Sequence, residues 1–254
     1  MPVAVPATLI FAVGVAASLV NIMAGGGSVL TLGAMTLLGL DGAVANGTNR
    51  IGLLVESLAG VGAFRAARHG EMRTGLVLGL CAVPGALLGA LVAVRIGNAL
   101  FQRLLAMVMI LVLATLFAPK PASPAETPSR RSEAGPRRWL IYPVMVLIGL
   151  YGGFIQAGVG FLIMAALRHI LRLDLVTVNR HKTTIVLVYT LPALAVFLLT
   201  GHVHPLYAAS LAAGNGLGAW LGVRLAIRRG ERAVKLGLAA AVVLMAARLF
   251  VATP

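Results

Sequence analysis

The chain repeats itself, without a gap, at a spacing of 133 residues. Ala24-Gly25-Gly26-Gly27 aligns with Ala157-Gly158-Val159-Gly160, and Leu40-Asp41 with Leu173-Asp174. Asn46 falls on Asn179, Phe64 on Phe197, His69 on His202 and Arg95 on Arg228. Gly85-Ala86-Leu87-Leu88-Gly89 meets Gly218-Ala219-Trp220-Leu221-Gly222. Over residues 24–97, 20 of 74 aligned pairs are identical. Apolar bias raises chance identity, but it does not bring Asp, Asn, His and Arg into register. A duplicated hydrophobic unit with glycine interruptions in both copies is the pattern of a secondary transporter built from two repeats.

The solvent follows from composition. Mean hydropathy is +0.97, with 59% of residues apolar and 11% charged, against about a quarter charged in soluble domains. Ten apolar segments are expected: 3–23, 27–40, 47–64, 74–94 and 99–118, then 139–157, 159–173, 183–200, 206–226 and 234–252. Most are long enough to reach into a bilayer. The fold class is therefore an all-α polytopic membrane protein, with about five transmembrane or half-membrane helices in each repeat. The second segment of each five is short and follows glycines directly, so first and second form a glycine-broken or re-entrant pair.

A net charge of +14 would suggest nucleic acid in a soluble chain. In a membrane protein, cytoplasmic loops collect Lys and Arg, and no nucleic-acid partner is expected. Alternating the segments across the bilayer puts seventeen basic residues on one side. Arg50, Arg95, Arg103 and Arg248 are left on the other. Both termini then lie outside. An odd number of segments per repeat inverts the second copy. The loop of Arg65, Arg68 and Arg73 fits this, because its counterpart carries Leu198, Gly201 and Leu206 and has lost every basic residue.

Residues 119–138 are rich in Pro, Ser and charge and read as a flexible cytoplasmic linker between repeat 1 (1–118) and repeat 2 (139–254). The N-terminal apolar run has no positive n-region and no clear cleavage site, so it reads as retained structure. Cys81, the single cysteine, excludes an intrachain disulfide and multi-cysteine metal sites and reads as a packing residue. No cofactor, metal or enzyme signature is found. His202-Val203-His204 lacks accompanying Cys or carboxylate and precedes Pro205, which reads as a turn.

The candidate chemistry lies at the breaks. A helix restarting after Gly25-Gly26-Gly27 or after Gly158 and Gly160 would present unpaired N–H groups and partial positive charge to an anion. Close helix packing through small residues is the competing account, and duplication at matched positions favours the break. About twenty residues later come Asn46-Gly47-Thr48-Asn49-Arg50 and Asn179-Arg180-His181-Lys182. Asn46, Asn49, Asn179 and Lys182, with Gln156 beside the second break, could surround a small oxyanion. Alternatively the asparagines cap helices. Arg180 reads better as an ordinary loop charge. Glu56 is the only carboxylate well inside an apolar segment, where a charge costs at least ~3 kcal/mol. It could carry a coupling proton or pair with a nearby arginine. Asp41 and Asp174 match across the repeat and read as caps or turn residues.

The stretch AGGGSVLTLGAMTLLGLDGAVANGTNRIG, with YGGFIQAGVGFLIMAAL and LDLVTVNRHKTT in the second half, resembles the TauE/SafE sulfite exporter family over all but the linker. The resemblance implies export of sulfite, sulfoacetate or a related anion across the bacterial inner membrane. The expected protein is a secondary transporter in which one repeat rocks against the other, with the lipid bilayer and a small anion as partners. Exposed small-residue faces would suit a homodimer. A passive anion channel and a non-transporting membrane scaffold are the alternatives.

Overall fold

Among the described residues, the helices Arg73–Ala93 and Leu175–Leu199 are long and apolar enough to cross a bilayer, and a helix satisfies its backbone internally, as a chain out of water must. The computed structural model describes residues 4–67, 72–117 and 138–229. Nine α-helices lie among them: α1 (Ala4–Ala24), α2 (Ser28–Leu37), α3 (Gly42–Ala66), α4 (Arg73–Ala93), α5 (Asn98–Phe117), α6 (Ile141–Phe154), α7 (Val159–Ile170), α8 (Leu175–Leu199) and α9 (Pro205–Arg229). A 3₁₀ turn, Arg138–Leu140, leads into α6. The tenth expected segment and most of the linker lie outside the described residues.

Two of the helices, α2 with 10 residues and α7 with 12, are too short to cross. At 1.5 Å per residue they reach about half of a ~30 Å hydrocarbon core. Each follows a glycine in the left-handed region, Gly25 at φ 90° and Gly158 at φ 71°, where an L side chain is strained. The third helix of each half begins earlier than hydropathy suggested, at Gly42 instead of 47 and at Leu175 instead of 183. Its polar first turns are helical because they are buried against partners.

The helices divide between two apolar cores. One joins Leu78, Ala82 and Ala86 of α4 to Met145 of α6, Ile163 of α7 and Ile185 of α8. The other joins Ile10 of α1, Leu32 of α2, Ala45 of α3, Phe101 of α5 and Leu211 of α9. A satellite cluster of Ile22, Phe64, Ala219 and Val223 extends the second. Within each bundle the closest approach is backbone to backbone. A Cβ on Gly85 would overlap the Val146 carbonyl, and one on Gly153 the Ala86 carbonyl, along α4 and α6. Gly214 and Gly218 of α9 meet the Phe11 and Val15 carbonyls of α1 in the same manner. Small residues supply this contact where no hydrophobic drive between helices exists.

Gly153→Val is expected to lower the unfolding midpoint in detergent, with an overpacking cost of roughly 1–3 kcal/mol or more. An unchanged midpoint would show that α4 and α6 separate without penalty. The exterior is apolar, with Leu58, Leu80, Leu88, Leu147 and Leu199 exposed, while Asn46, Asn49, Arg50, Glu56 and Lys182 are buried. That inside-out distribution suits lipid.

Candidate functional site

The two interrupted pairs meet. A Cβ on Gly160 would overlap the Gly25 carbonyl, so the α1–α2 turn touches the start of α7 through glycine backbone. Gly26 O accepts from the Val29 N–H at 3.2 Å, and Gly27 packs on the Ala17 carbonyl of α1. Gly158 faces Val112 of α5. Beside this junction lies a cavity lined by Asn21, Ser28, Glu56, Ser57, Gln156, Val159, Gly160, Lys182, Thr183 and Val186. It has room for about one water. Ser28 is the first residue of α2, and Val159 and Gly160 are the first two of α7, so two helix N-termini face the same space.

Lys182 is held from several directions. Its Nζ donates to Asn21 O at 2.5 Å, Ile22 O at 3.1 Å and Asn179 Oδ1 at 3.0 Å. The first two are carbonyls in the last turn of α1, the negative end of that helix dipole. Asn21 also donates through Nδ2 to Glu56 Oε1 at 2.5 Å, and Asn215 Nδ2 reaches Glu56 Oε2 at 3.4 Å. Asn21 therefore stands between the ammonium and the carboxylate.

Gln156 is fixed at both ends of its side chain. Its Nε2 donates to the Tyr189 hydroxyl at 2.7 Å, its Oε1 accepts from Arg50 Nη1 at 3.3 Å, and its carbonyl accepts from Ser28 Oγ at 2.9 Å. The Arg50 guanidinium is fully buried; it donates to Gly152 O at 3.0 Å and Gly153 O at 2.5 Å and lies 4.7 Å from the centroid of Phe197. Sequence reasoning counted Arg50 as an outside loop charge and missed this. Arg50, Arg180 and Lys182 all lie buried in α3 and α8, so none is a loop residue. Asn21, Ser28, Tyr189 and Asn215 were also missed; polar residues inside otherwise apolar runs were the available signal.

Of the sequence candidates, Gln156, Gly160, Lys182 and Glu56 line the cavity, with Asn179 behind Lys182. Asn46 and Asn49 do not line it. Asn46 Nδ2 donates to Phe154 O at 2.8 Å, and Asn49 Oδ1 accepts from Thr31 Oγ1 at 2.6 Å. Asn49 Nδ2 makes no hydrogen bond among the described residues. Neither asparagine caps a helix. Capping falls to Asp174, whose Oδ1 accepts from the Val176 and Thr177 N–H groups at 3.0 Å each. Burial pushes its carboxyl up, but hydrogen bonds from Thr177 and Val176 outweigh this and hold it below its ordinary value. Asp41 sits at the matching N-cap of α3 without a side-chain bond. His202 and His204 lie in the α8–α9 turn: His202 Nδ1 is 2.9 Å from Thr200 Oγ1, and His204 stacks on Tyr207. Among the described residues no cluster of three or more His, Cys, Asp or Glu could hold a metal.

The family described as "Sulfite exporter TauE/SafE" matches residues 10–249. A "Probable membrane transporter protein" of Haemophilus influenzae is 27% identical over 230 residues, covering 89% of this chain and 88% of its own. "Probable membrane transporter protein ORF9" of a Sinorhizobium species is 25% identical over 240 residues, covering 94% and 90%. No solved structure matches the chain. The chain belongs to the TauE/SafE family of membrane transporters.

Proposed function

We propose that this protein is a secondary transporter that exports a small sulfur-containing or organic anion, such as sulfite or sulfoacetate, across the bacterial inner membrane by alternating access. One observation carries the reading: the first residues of α2 and α7 line the same buried cavity as Lys182 and Gln156. Helix N-termini and a buried ammonium favour an oxyanion, and amide N–H donors fix its orientation. The family description, sulfite exporter, supports a small sulfur-containing anion as the substrate class.

Two inverted repeats, 1–118 and 139–254, joined by 119–138, account for the internal symmetry. Shifting α3 by 133 residues lands on α8 from end to end, Gly42 on Leu175 and Ala66 on Leu199. Gly25 and Gly158 share a left-handed backbone, as do Gly39 and Arg172. The glycine-broken helices place backbone polar groups at membrane depth, where they face protein or a cavity. Both termini would lie outside.

Uptake of radiolabelled sulfite into proteoliposomes tests the reading. Saturable flux, counterflow exchange and competition by unlabelled sulfoacetate, thiosulfate or acetate are expected. Flux rising linearly with concentration and without counterflow would make the protein a channel. Absence of flux for sulfite and every competitor, each also tried as labelled substrate, would remove the anion assignment.

A further inference from the structure

The bundles that share cores are not the two repeats. The first helix of each repeat packs along the fourth helix of the other: α1 on α9, and α6 on α4. One bundle is α1, α2, α3, α5 and α9; the other is α4, α6, α7 and α8. Each is therefore assembled from both halves of the sequence. Rocking one intact repeat against the other would tear the glycine contacts of Gly85, Gly153, Gly214 and Gly218.

The seam between the bundles has a different character. Here α3 faces α8, the α1–α2 turn touches the start of α7, and hydrogen bonds cross. Two of the crossings are made by cations, and they are reciprocal. Arg50 on α3 donates to Gly152 and Gly153 in the last turn of α6, while Lys182 on α8 donates to Asn21 and Ile22 in the last turn of α1. Each cation thus comes from the third helix of one repeat and sits on the carbonyl end of the broken first helix of the other. The internal alignment hides the pair, because Lys182 pairs with Asn49 and Arg50 with Thr183.

We propose that Arg50 and Lys182 are paired positioning residues that latch the two bundles together at the broken helix ends, and that the cavity opens along this seam when the latches release. The bodies that move in the transport cycle are then the two mixed bundles. Charged donors on helix-end carbonyls hold strongly yet can be exchanged for another acceptor, whereas the glycine contacts inside each bundle cannot be remade elsewhere. The role assigned to this motion rests on the transport reading; the latch itself does not.

The test uses full-length protein in liposomes, with Cys81→Ser and a reporter at the cavity, Ser57→Cys, labelled by a membrane-permeant maleimide. Slow labelling is expected with both latches intact. Arg50→Gln or Lys182→Gln should accelerate it about tenfold or more, since each removes charge-assisted hydrogen bonds. Leu78→Ala weakens packing inside one bundle without touching the seam, and should leave the rate near background. Where a glutamine variant does not fold, Arg50→Lys and Lys182→Arg serve in its place, with intermediate rates expected. Labelling unchanged by the latch variants, or raised as much by Leu78→Ala, would overturn the proposal. No substrate is needed, so failure to transport any anion would sink the functional reading and leave this result standing.

Discussion

Lys182→Ala is expected to abolish saturable anion flux and to lower the unfolding midpoint sharply. The ammonium is buried and donates to two helix-end carbonyls and to Asn179. Truncation leaves these acceptors without their donor and leaves Glu56 without a nearby positive charge. Removing one member of a buried charged set costs roughly 3–5 kcal/mol. A double variant separates the two effects. Adding Glu56→Gln to Lys182→Ala removes the stranded carboxylate, so stability should recover by an interaction energy on the order of 1–3 kcal/mol. Flux should not recover, because the cation is still missing. Thermal unfolding of the four proteins in one detergent gives the cycle. Strictly additive losses would show that Lys182 and Glu56 do not sense each other through Asn21.

The structure explains which parts of this arrangement were open to sequence reasoning. Gly25 and Gly158 take a left-handed backbone ahead of the short helices α2 and α7, a freedom that is legible locally because it belongs to the residue itself. Hydropathy placed the starts of α3 and α8 too late, at 47 and 183, because it scores Asn46, Asn179, Arg180 and Lys182, like Arg50 inside the segment, as though they faced water. Their partners are carbonyls and hydroxyls more than a hundred residues away in several cases: Phe154 for Asn46, Gly152 and Gly153 for Arg50, Asn21 for Lys182. No window along the chain contains such a pair. Arg50 was lost for a further reason. A cation at the start of an apolar segment looks like a loop charge until the helix is seen to begin two turns earlier. The mixed bundles escaped as well. A match of one half of the sequence to the other says nothing of which helices pack together across the halves.

Glu56→Gln is expected to uncouple flux from pH while leaving the protein folded. Glu56 is buried in α3, lines the cavity, and accepts hydrogen bonds from the amides of Asn21 and Asn215. Glutamine has nearly the same shape and keeps an acceptor for one of those amides, but it cannot take up or release a proton. If Glu56 carries one proton per anion, a gradient of one pH unit can drive up to about tenfold accumulation. The glutamine variant should then equilibrate the labelled anion without accumulating it, whichever side is made acidic. Exchange of labelled for unlabelled anion should persist, since that half of the cycle moves no net proton. Two measurements on the same vesicles decide the matter: accumulation under an imposed pH gradient, and counterflow at equal pH. Loss of the first with survival of the second assigns coupling to Glu56. Accumulation that still follows the gradient in the variant would end that assignment and leave Glu56 as the carboxylate that balances Lys182 across Asn21.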